Sequence, residues 1–301
     1  MTSPLPILET ERVSPRYHDI DAWPTRDALD AMLEGQLAAV AAVRPVLPAL
    51  ALAIDEAAAR IGETGRLVYA GAGTSGRVAV QDGAELPPTF NWPGERLVFA
   101  MAGGAEALTR SIEGAEDDVA AAERQMVDAN IGHQDVVLGV AASGTTPFTI
   151  AVLQKASSLG ALTIGISNNA GAPLLAAARH PSLVATGPEV VAGSTRMKAG
   201  TAQKIVLNLF STGLMIKLGR TYRGRMVEMS ARNIKLDKRA LAMIAELAGC
   251  DDAQARAALA ESGGDLKLAI LVASGLTISD ARRSLTEHKG RLGQAIKSIG
   301  R

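Results

Sequence analysis

Gly71-Ala-Gly-Thr-Ser-Gly-Arg77 follows the apolar run Arg66-Leu-Val-Tyr-Ala70 and precedes a helix-compatible segment ending near Glu85. Strand, glycine-rich loop and helix start, in that order, make an anion-binding junction. The first N–H groups of a helix have no intrahelical acceptor and its dipole turns the positive end outward, so a phosphate is stabilised there. Glycines let the backbone approach the anion. Gly73, Thr74 and Ser75 are therefore candidate substrate ligands, the last two adding hydroxyl donors. Gly71, Gly73 and Gly76 also satisfy G-x-G-x-x-G, a weak pattern on its own. A dinucleotide site wants an acid at the end of the next strand, about 20 residues on. Arg96-Leu-Val-Phe-Ala100 instead runs into Met101-Ala-Gly-Gly104 with no acid. The loop reads as one for a phosphate monoester, the structural alternative being a tight glycine turn.

Outward from this junction the chain alternates. Strands are expected at 67–70, 97–100, 136–141, 162–167 and 183–186, with helices between them that include 105–129 and 147–158. Such alternation predicts an α/β fold, a doubly wound parallel sheet flanked by helices, with ligands at the carboxyl ends of the strands. Before it, residues 1–25 are polar and proline-rich and in isolation read as a disordered arm. Residues 25–61 read as helix, with Leu29, Met32, Leu33, Leu37, Val40 and Val43 on one apolar face, broken by Pro45 and Pro48. After it, an apolar helix is expected over about 201–218, and residues 238–270 read as a compact three-helix module. The organisation predicted is an N-terminal arm with helices (1–60), a phosphate-binding domain (61–225) and a C-terminal helical region (226–301).

A second loop, Ala142-Ser-Gly-Thr-Thr-Pro147, follows the third strand. Its N–H groups with Ser143, Gly144, Thr145 and Thr146 can wrap a phosphate as a nest does; Thr146 before Pro147 also suits a helix cap without ligand. For acid–base work the candidates are Glu85, at a corner made rigid by Pro87 and Pro88, and Glu113 and Glu116, whose three-residue spacing puts them on one face of the expected helix. The alternative for the second pair is a solvated acidic face. A straight helix from Ser75 carries Glu85 about 15 Å from the loop amides. Either that helix is interrupted near Gly83, or Glu85 serves a site completed by another subunit.

Composition excludes several classes. The 301 residues carry 31 basic and 31 acidic side chains, so no global field recruits nucleic acid or an anionic membrane. Cys250 is the only cysteine and forms no intrachain disulfide. His18, His133, His180 and His288 lack metal-ligand spacing, and neither G-x-S-x-G nor a Walker pattern is present. No metal and no organic cofactor is expected. Met1-Thr-Ser-Pro-Leu-Pro-Ile lacks the form of a signal peptide, and no apolar run spans a bilayer free of charge. The expected location is the cytoplasm.

Taken together, residues 71–77, Glu85-Leu-Pro-Pro-Thr89, Glu113-Gly-Ala-Glu-Asp117, Ala141-Ala-Ser-Gly-Thr145 and the long stretch 187–204 resemble the sugar isomerase (SIS) domain family, and within it the etherases of N-acetylmuramic acid 6-phosphate. The stretch 187–204 is similar to a signature shared with glucokinase regulatory protein. The C-terminal module resembles a ubiquitin-associated-like (UBA-like) bundle. The resemblance implies cleavage of the D-lactyl ether with water, giving N-acetylglucosamine 6-phosphate and D-lactate, by a homodimer acting in cell-wall recycling. It implies Glu85 as the acid at the leaving lactate oxygen, Glu116 as the base, and Ser75 with residues 143–146 as phosphate ligands. The region of Thr10 and Glu11 and the basic stretch around Arg196 are implied to complete the site. The two carboxyl environments should push their pKa values apart, since one must be ionised and the other protonated. A phosphosugar sensor and an aldose–ketose isomerase remain the alternatives; neither needs an acid placed at a C3 ether oxygen.

Overall fold

A computed structural model of the chain describes residues 8–228 and 234–300. Residues 1–7, and with them the reading of Met1 to Ile7, lie outside the described residues. Two compact units form. The first takes the chain up to Ala84 together with Gly94–Ser211; the second takes Glu85–Pro93 and the chain from Thr212 onward.

The first unit is built on a parallel sheet. Its strands are β1 (Leu67–Gly71), β2 (Leu97–Met101), β3 (Val136–Val140), β4 (Leu162–Ser167) and β5 (His180–Leu183), in the order β2-β1-β3-β4-β5. Every residue of β1, β3 and β4 is buried, as expected of strands covered on both faces. Alternate residues of β1 serve opposite faces. Val68 and Ala70 join a core with Met126 of α5 (Val119–Asp128) and Phe148 and Val152 of α6 (Pro147–Ser158). Tyr69 turns the other way, against α3 (Gly73–Ala84). Helix α6 and the first four strands fall where the sequence places them. The fifth strand starts three residues earlier than 183, at the buried edge formed by Ile164 to Ser167.

The helical pattern of residues 25–61 resolves into α1 (Thr25–Val43), a 3₁₀ turn at Arg44–Val46 that holds Pro45, and α2 (Leu47–Arg60), with Pro48 in its first turn. Of the expected face Val43 is buried and Met32 half-buried, while the rest turns outward. Ala31, Gly35, Ala39 and Val43 point inward, whereas Leu29, Leu33, Leu37 and Val40 are 54–64% exposed. Close approach is the reason: a Cβ on Gly35 would lie 3.3 Å from Lys198 Cδ and 3.6 Å from Val190 Cγ2, so only small residues fit beneath α1. By length and composition alone Thr25–Arg60 also meets the requirement for crossing a bilayer. Its small residues instead pack into the first unit.

The polar arm is ordered where described. Short 3₁₀ turns at Glu9–Glu11, Pro15–Tyr17 and Ile20–Ala22 lead into α1, and Thr10 is fully buried. Helix α8 (Lys198–Lys217) follows the glycine-rich stretch.

The second unit holds α4 (Leu86–Phe90), the hairpin β6–β7 (Thr221–Tyr222, Arg225–Met226) and helices α9 (Ile234–Ala248), α10 (Asp252–Glu261), α11 (Leu266–Ala273), α12 (Ile278–Glu287) and α13 (Leu292–Ser298). Between β4 and β5 the first unit also carries a single-turn helix, α7 (Pro173–Ala176). The module expected over 238–270 is present as α9 to α11, packed around Ile244, Ala255 and Ile270 and extended by α12 and α13. Asp251 opens α10 through a capping box with Gln254.

At the amino ends of β1 and β3, the buried Asp135 carboxylate accepts from Arg66 Nη2 at 2.8 Å, Arg66 Nε at 3.1 Å and the Gly132 N–H at 2.8 Å. Burial pushes this carboxyl up, but the Arg66 side chain and the backbone N–H groups of Gly132 and Arg66, the latter at 2.9 Å, outweigh it and hold its pKa below the ordinary value. A depressed folded-state pKa contributes stability above the unfolded value of about 3.9 and loses it as pH falls through the folded value. Asp135→Asn is accordingly expected to lower stability at pH 7 by more than at pH 3; urea unfolding of both proteins at the two pH values checks it.

Candidate functional site

In this strand order the chain leaves β1 in one direction to reach β2 and returns to the other side of β1 for β3. The carboxyl ends of β1 and β3 therefore form a topological switch point, where open α/β sheets bind ligands. Both hydroxyl-bearing loops emerge there, since Gly71 of β1 lies in register with Val140 of β3.

At the first loop, helix α3 begins two residues after the strand ends. A Cβ on Gly71 would sit 2.8 Å from Gly76 Cα, and one on Gly76 would sit 2.7 Å from the Gly71 carbonyl and 2.4 Å from Met101 Sδ. Two backbones thus touch where side chains would hold them apart. The amides of Gly73, Thr74 and Ser75 open α3 without intrahelical acceptors.

In the second loop Ser143 Oγ accepts from the Thr145 N–H at 3.2 Å, folding the chain back on itself. Gly144 has φ +67°, and a Cβ there would meet Ala172 Cβ and Ser167 Oγ, each at 2.4 Å. Thr146 stands at the N-cap of α6 but its side chain makes no capping hydrogen bond, so capping does not account for its hydroxyl.

The helix expected over 105–129 is not continuous. It divides into 3₁₀ turns at Ala105–Leu108 and Ala115–Asp117, then α5. Gly103 and Gly104 adopt positive φ before the first turn, and Gly114 adopts φ +69° between Glu113 and Glu116. The two acids therefore share a loop, not a helix face. Arg77 shapes that loop: its Nε donates to the Ala107 carbonyl and its Nη2 to the Arg110 carbonyl, both at 2.9 Å. Under it lies a cavity of about 370 Å³ lined by Gly73, Arg77, Arg110, Ser111, Glu113 and Glu116 among others. Gly73 at the start of α3, two arginines and the expected base thus line one space.

Glu85 is not among the residues that line that space. Helix α3 runs unbroken through Gly83 to Ala84, so the interruption considered from sequence does not occur, and Glu85 is exposed at the turn into α4. The last turn of α3 is anchored by a residue that sequence reasoning passed over. Asp82, 6% exposed, accepts from Tyr69 OH at 3.1 Å, Ser211 Oγ at 3.2 Å and Asn208 Nδ2 at 3.3 Å. Burial raises the pKa of Asp82, against the pull of these donors and Lys204. Its only sequence signal is an acid on the apolar side of a helix.

The arm and the stretch 187–204 meet at the ends of β3 and β4. Asn169 Nδ2 donates to Thr10 Oγ1 at 3.0 Å and to the Ala142 carbonyl at 2.8 Å, and the Gly193 N–H donates to the Thr10 carbonyl at 3.0 Å. Glu189, fully buried, accepts from the N–H groups of Lys198 and Ala199 and so caps α8. Arg196 is exposed nearby in sequence, and a Cβ on Gly200 would contact Thr74 Cγ2 at 3.5 Å. Among the described residues no cluster of three or more His, Cys, Asp or Glu side chains stands ready to hold a metal.

A doubly wound sheet with two hydroxyl loops at its switch point is the architecture of a SIS-domain protein. Residues 114–212 match the SIS domain family, and residues 49–157 match the glucokinase regulatory protein N-terminal SIS domain. A crystal structure described as a putative phosphosugar isomerase involved in capsule formation, from Bacteroides fragilis, shares the fold with TM-score 0.50 at 21% identity, over 64% of this chain and 91% of its own. Relatives named N-acetylmuramic acid 6-phosphate etherase match nearly end to end: one from Deinococcus radiodurans is 46% identical over 98% of this chain and 96% of its own. One from Rhizobium rhizogenes is 41% identical over 99% and 97%. The chain belongs to the N-acetylmuramic acid 6-phosphate etherase family.

The Gly71–Gly76 contact makes a direct prediction. Gly76→Val is expected to destabilise the first unit by about 1–3 kcal/mol through overpacking and to weaken phosphosugar binding; urea unfolding and calorimetric titration measure the two effects.

Proposed function

We propose that this protein cleaves the D-lactyl ether of N-acetylmuramic acid 6-phosphate with water, releasing D-lactate and N-acetylglucosamine 6-phosphate, in cytoplasmic recycling of cell-wall amino sugars. The observation that carries the proposal is the cavity in which the α3 amino terminus faces Glu116, in a chain of etherase kinship over nearly its full length. Gly73, Thr74 and Ser75, with Ser143, Gly144, Thr145 and Thr146, bind the 6-phosphate. Glu116, ionised, takes the proton from C2 of the ring-opened sugar, where the neighbouring aldehyde acidifies it. Glu85, protonated, gives its proton to the ether oxygen as the C3–O bond breaks. Water then adds at C3 of the unsaturated aldehyde and C2 is reprotonated. Each carboxyl changes state once in each half-reaction, so the pair returns to its starting form.

The unbroken α3 supports a site shared between copies, because it carries Glu85 about 15 Å from its own Ser75. The exposed leucines of α1 and α2, Leu29, Leu33, Leu37, Leu47 and Leu52, offer the apolar surface on which a second copy packs. A homodimer is accordingly part of the proposal. The second reading, a phosphosugar sensor without turnover, draws on the match of residues 49–157 to the regulatory-protein domain; it leaves the acid pair without a task.

Turnover in deuterated water tests the proposal: D-lactate appears and the sugar product carries deuterium at C2. Saturable binding with no lactate selects the sensor. Glu85→Gln is expected to cut lactate release by about 10²–10⁴-fold while phosphosugar binding persists; near-normal turnover removes Glu85 from the mechanism. Ser143→Ala is expected to raise KM about 10-fold or more, a hydrogen bond to a charged group being worth about 1.5–3 kcal/mol. An unchanged KM takes Ser143 out of the phosphate site.

A further inference from the structure

Glu85 opens a short insertion, Glu85–Pro93, that lies between α3 and β2 in sequence yet packs in one unit with the chain from Thr212 onward. Within that unit the far end of the insertion is gripped by one side chain. Arg220 Nη1 donates to the Phe90 carbonyl at 2.8 Å and to the Asn91 carbonyl at 3.1 Å, the acceptors left over where α4 ends. Its guanidinium carbon also lies 5.0 Å from the centroid of the Trp92 ring. Trp92 is 2% exposed. A cation is stabilised both at a helix carboxyl terminus and on an aromatic face.

Arg220 is in turn tied to the helical bundle. It stands at the foot of the β6–β7 hairpin, where the Val227 N–H donates to its carbonyl at 3.1 Å. The hairpin brings Glu228 to within 3.9 Å of Arg220 Nη1. Glu228 pairs with Lys267 of α11, and Lys267, 5% exposed, also donates to the Gly290 carbonyl at 2.7 Å. Burying such charges is costly and contributes little net stability, so a chain of them is better explained by the geometry it imposes. Here that geometry is the placement of α4, whose N-cap residue is Glu85.

We infer that Arg220 is a positioning residue for Glu85: it fixes α4 through Phe90, Asn91 and Trp92, and the Glu228–Lys267 pair makes the C-terminal helical unit the mount of the Glu85 carboxyl. The inference rests on the reading of Glu85 as proton donor to the departing lactate oxygen.

Two substrates separate this from a merely structural role: N-acetylmuramic acid 6-phosphate, and an analogue bearing a p-nitrophenyl ether at C3, whose phenolate leaves without protonation. In the full chain, Arg220→Met is expected to lower kcat on the lactyl ether about 10- to 100-fold, with KM little changed, C2 deuterium exchange retained and kcat on the aryl ether near that of the unsubstituted protein. Arg220→Lys, which keeps the charge but not the forked donor, gives a smaller loss of the same kind, as does Lys267→Met. If Arg220→Met fails to fold, those two variants decide by the same comparison. Equal losses on both substrates, or a lowered melting temperature with unchanged kcat, overturn the inference. Glu85→Gln is run in parallel. Rescue of Glu85→Gln by the aryl ether without rescue of the Arg220 variants rejects the mount alone. No rescue of Glu85→Gln rejects the proton-donor reading and the mount with it.

Discussion

At the end of β1 the backbones of Gly71 and Gly76 are in contact, and a single methyl group on either would push 2.8 Å or less from main-chain atoms of the other. That contact lets α3 start directly on the strand end, with its amides over the crevice rather than displaced from it. The Gly71 carbonyl also accepts from the Ala102 N–H, which brings the end of β2 to the same place, and Arg77, one residue beyond Gly76, then reaches the loop that bears Glu113 and Glu116. Amides, guanidinium and carboxylates share one cavity because two side chains are missing.

The two carboxyl groups proposed for the chemistry are held by different means. Glu116 rides on a loop preceded by the positive-φ glycines Gly103, Gly104 and Gly114 and pinned by Arg77. Glu85 follows a helix whose last turn is clamped by three donors onto Asp82, and it heads a segment gripped by Arg220. Acid and base that must sit in opposite protonation states are better served by unlike surroundings than by a common one. The supports observed for the two differ in every residue.

The long stretch 187–204, the most distinctive in the chain, contributes architecture as well as polar groups. Glu189 spends both carboxylate oxygens on the first amides of α8, so this helix start is satisfied from within. Thr10, buried through Asn169 and Gly193, turns an arm of polar composition into part of the strand-end surface. Burial of a single threonine with all its partners is invisible in composition.

The local signals in the sequence were enough for the parallel α/β class, the first four strands, α6, both hydroxyl loops, and the acids Glu85, Glu113 and Glu116 as candidates. These depend on periods of two and of 3.6 residues and on glycine and proline placement, which act over a few residues. The tertiary structure decided what those signals leave degenerate. Leu29 and Leu33 share a helix with Ala31 and Gly35, and only the closeness of Lys198 and Val190 selects the small face for burial. Residues 105–118 carry a helical pattern that the left-handed backbone at Gly103, Gly104 and Gly114 breaks. The adjacency of β1 and β3, which makes a crevice of two loops far apart in sequence but neighbours in space, comes from sheet order. Asp82 and Arg220 acquire their meaning from partners more than a hundred residues away. Pattern along the chain determines which elements form; contact between distant elements determines which face is buried and which side chains find partners.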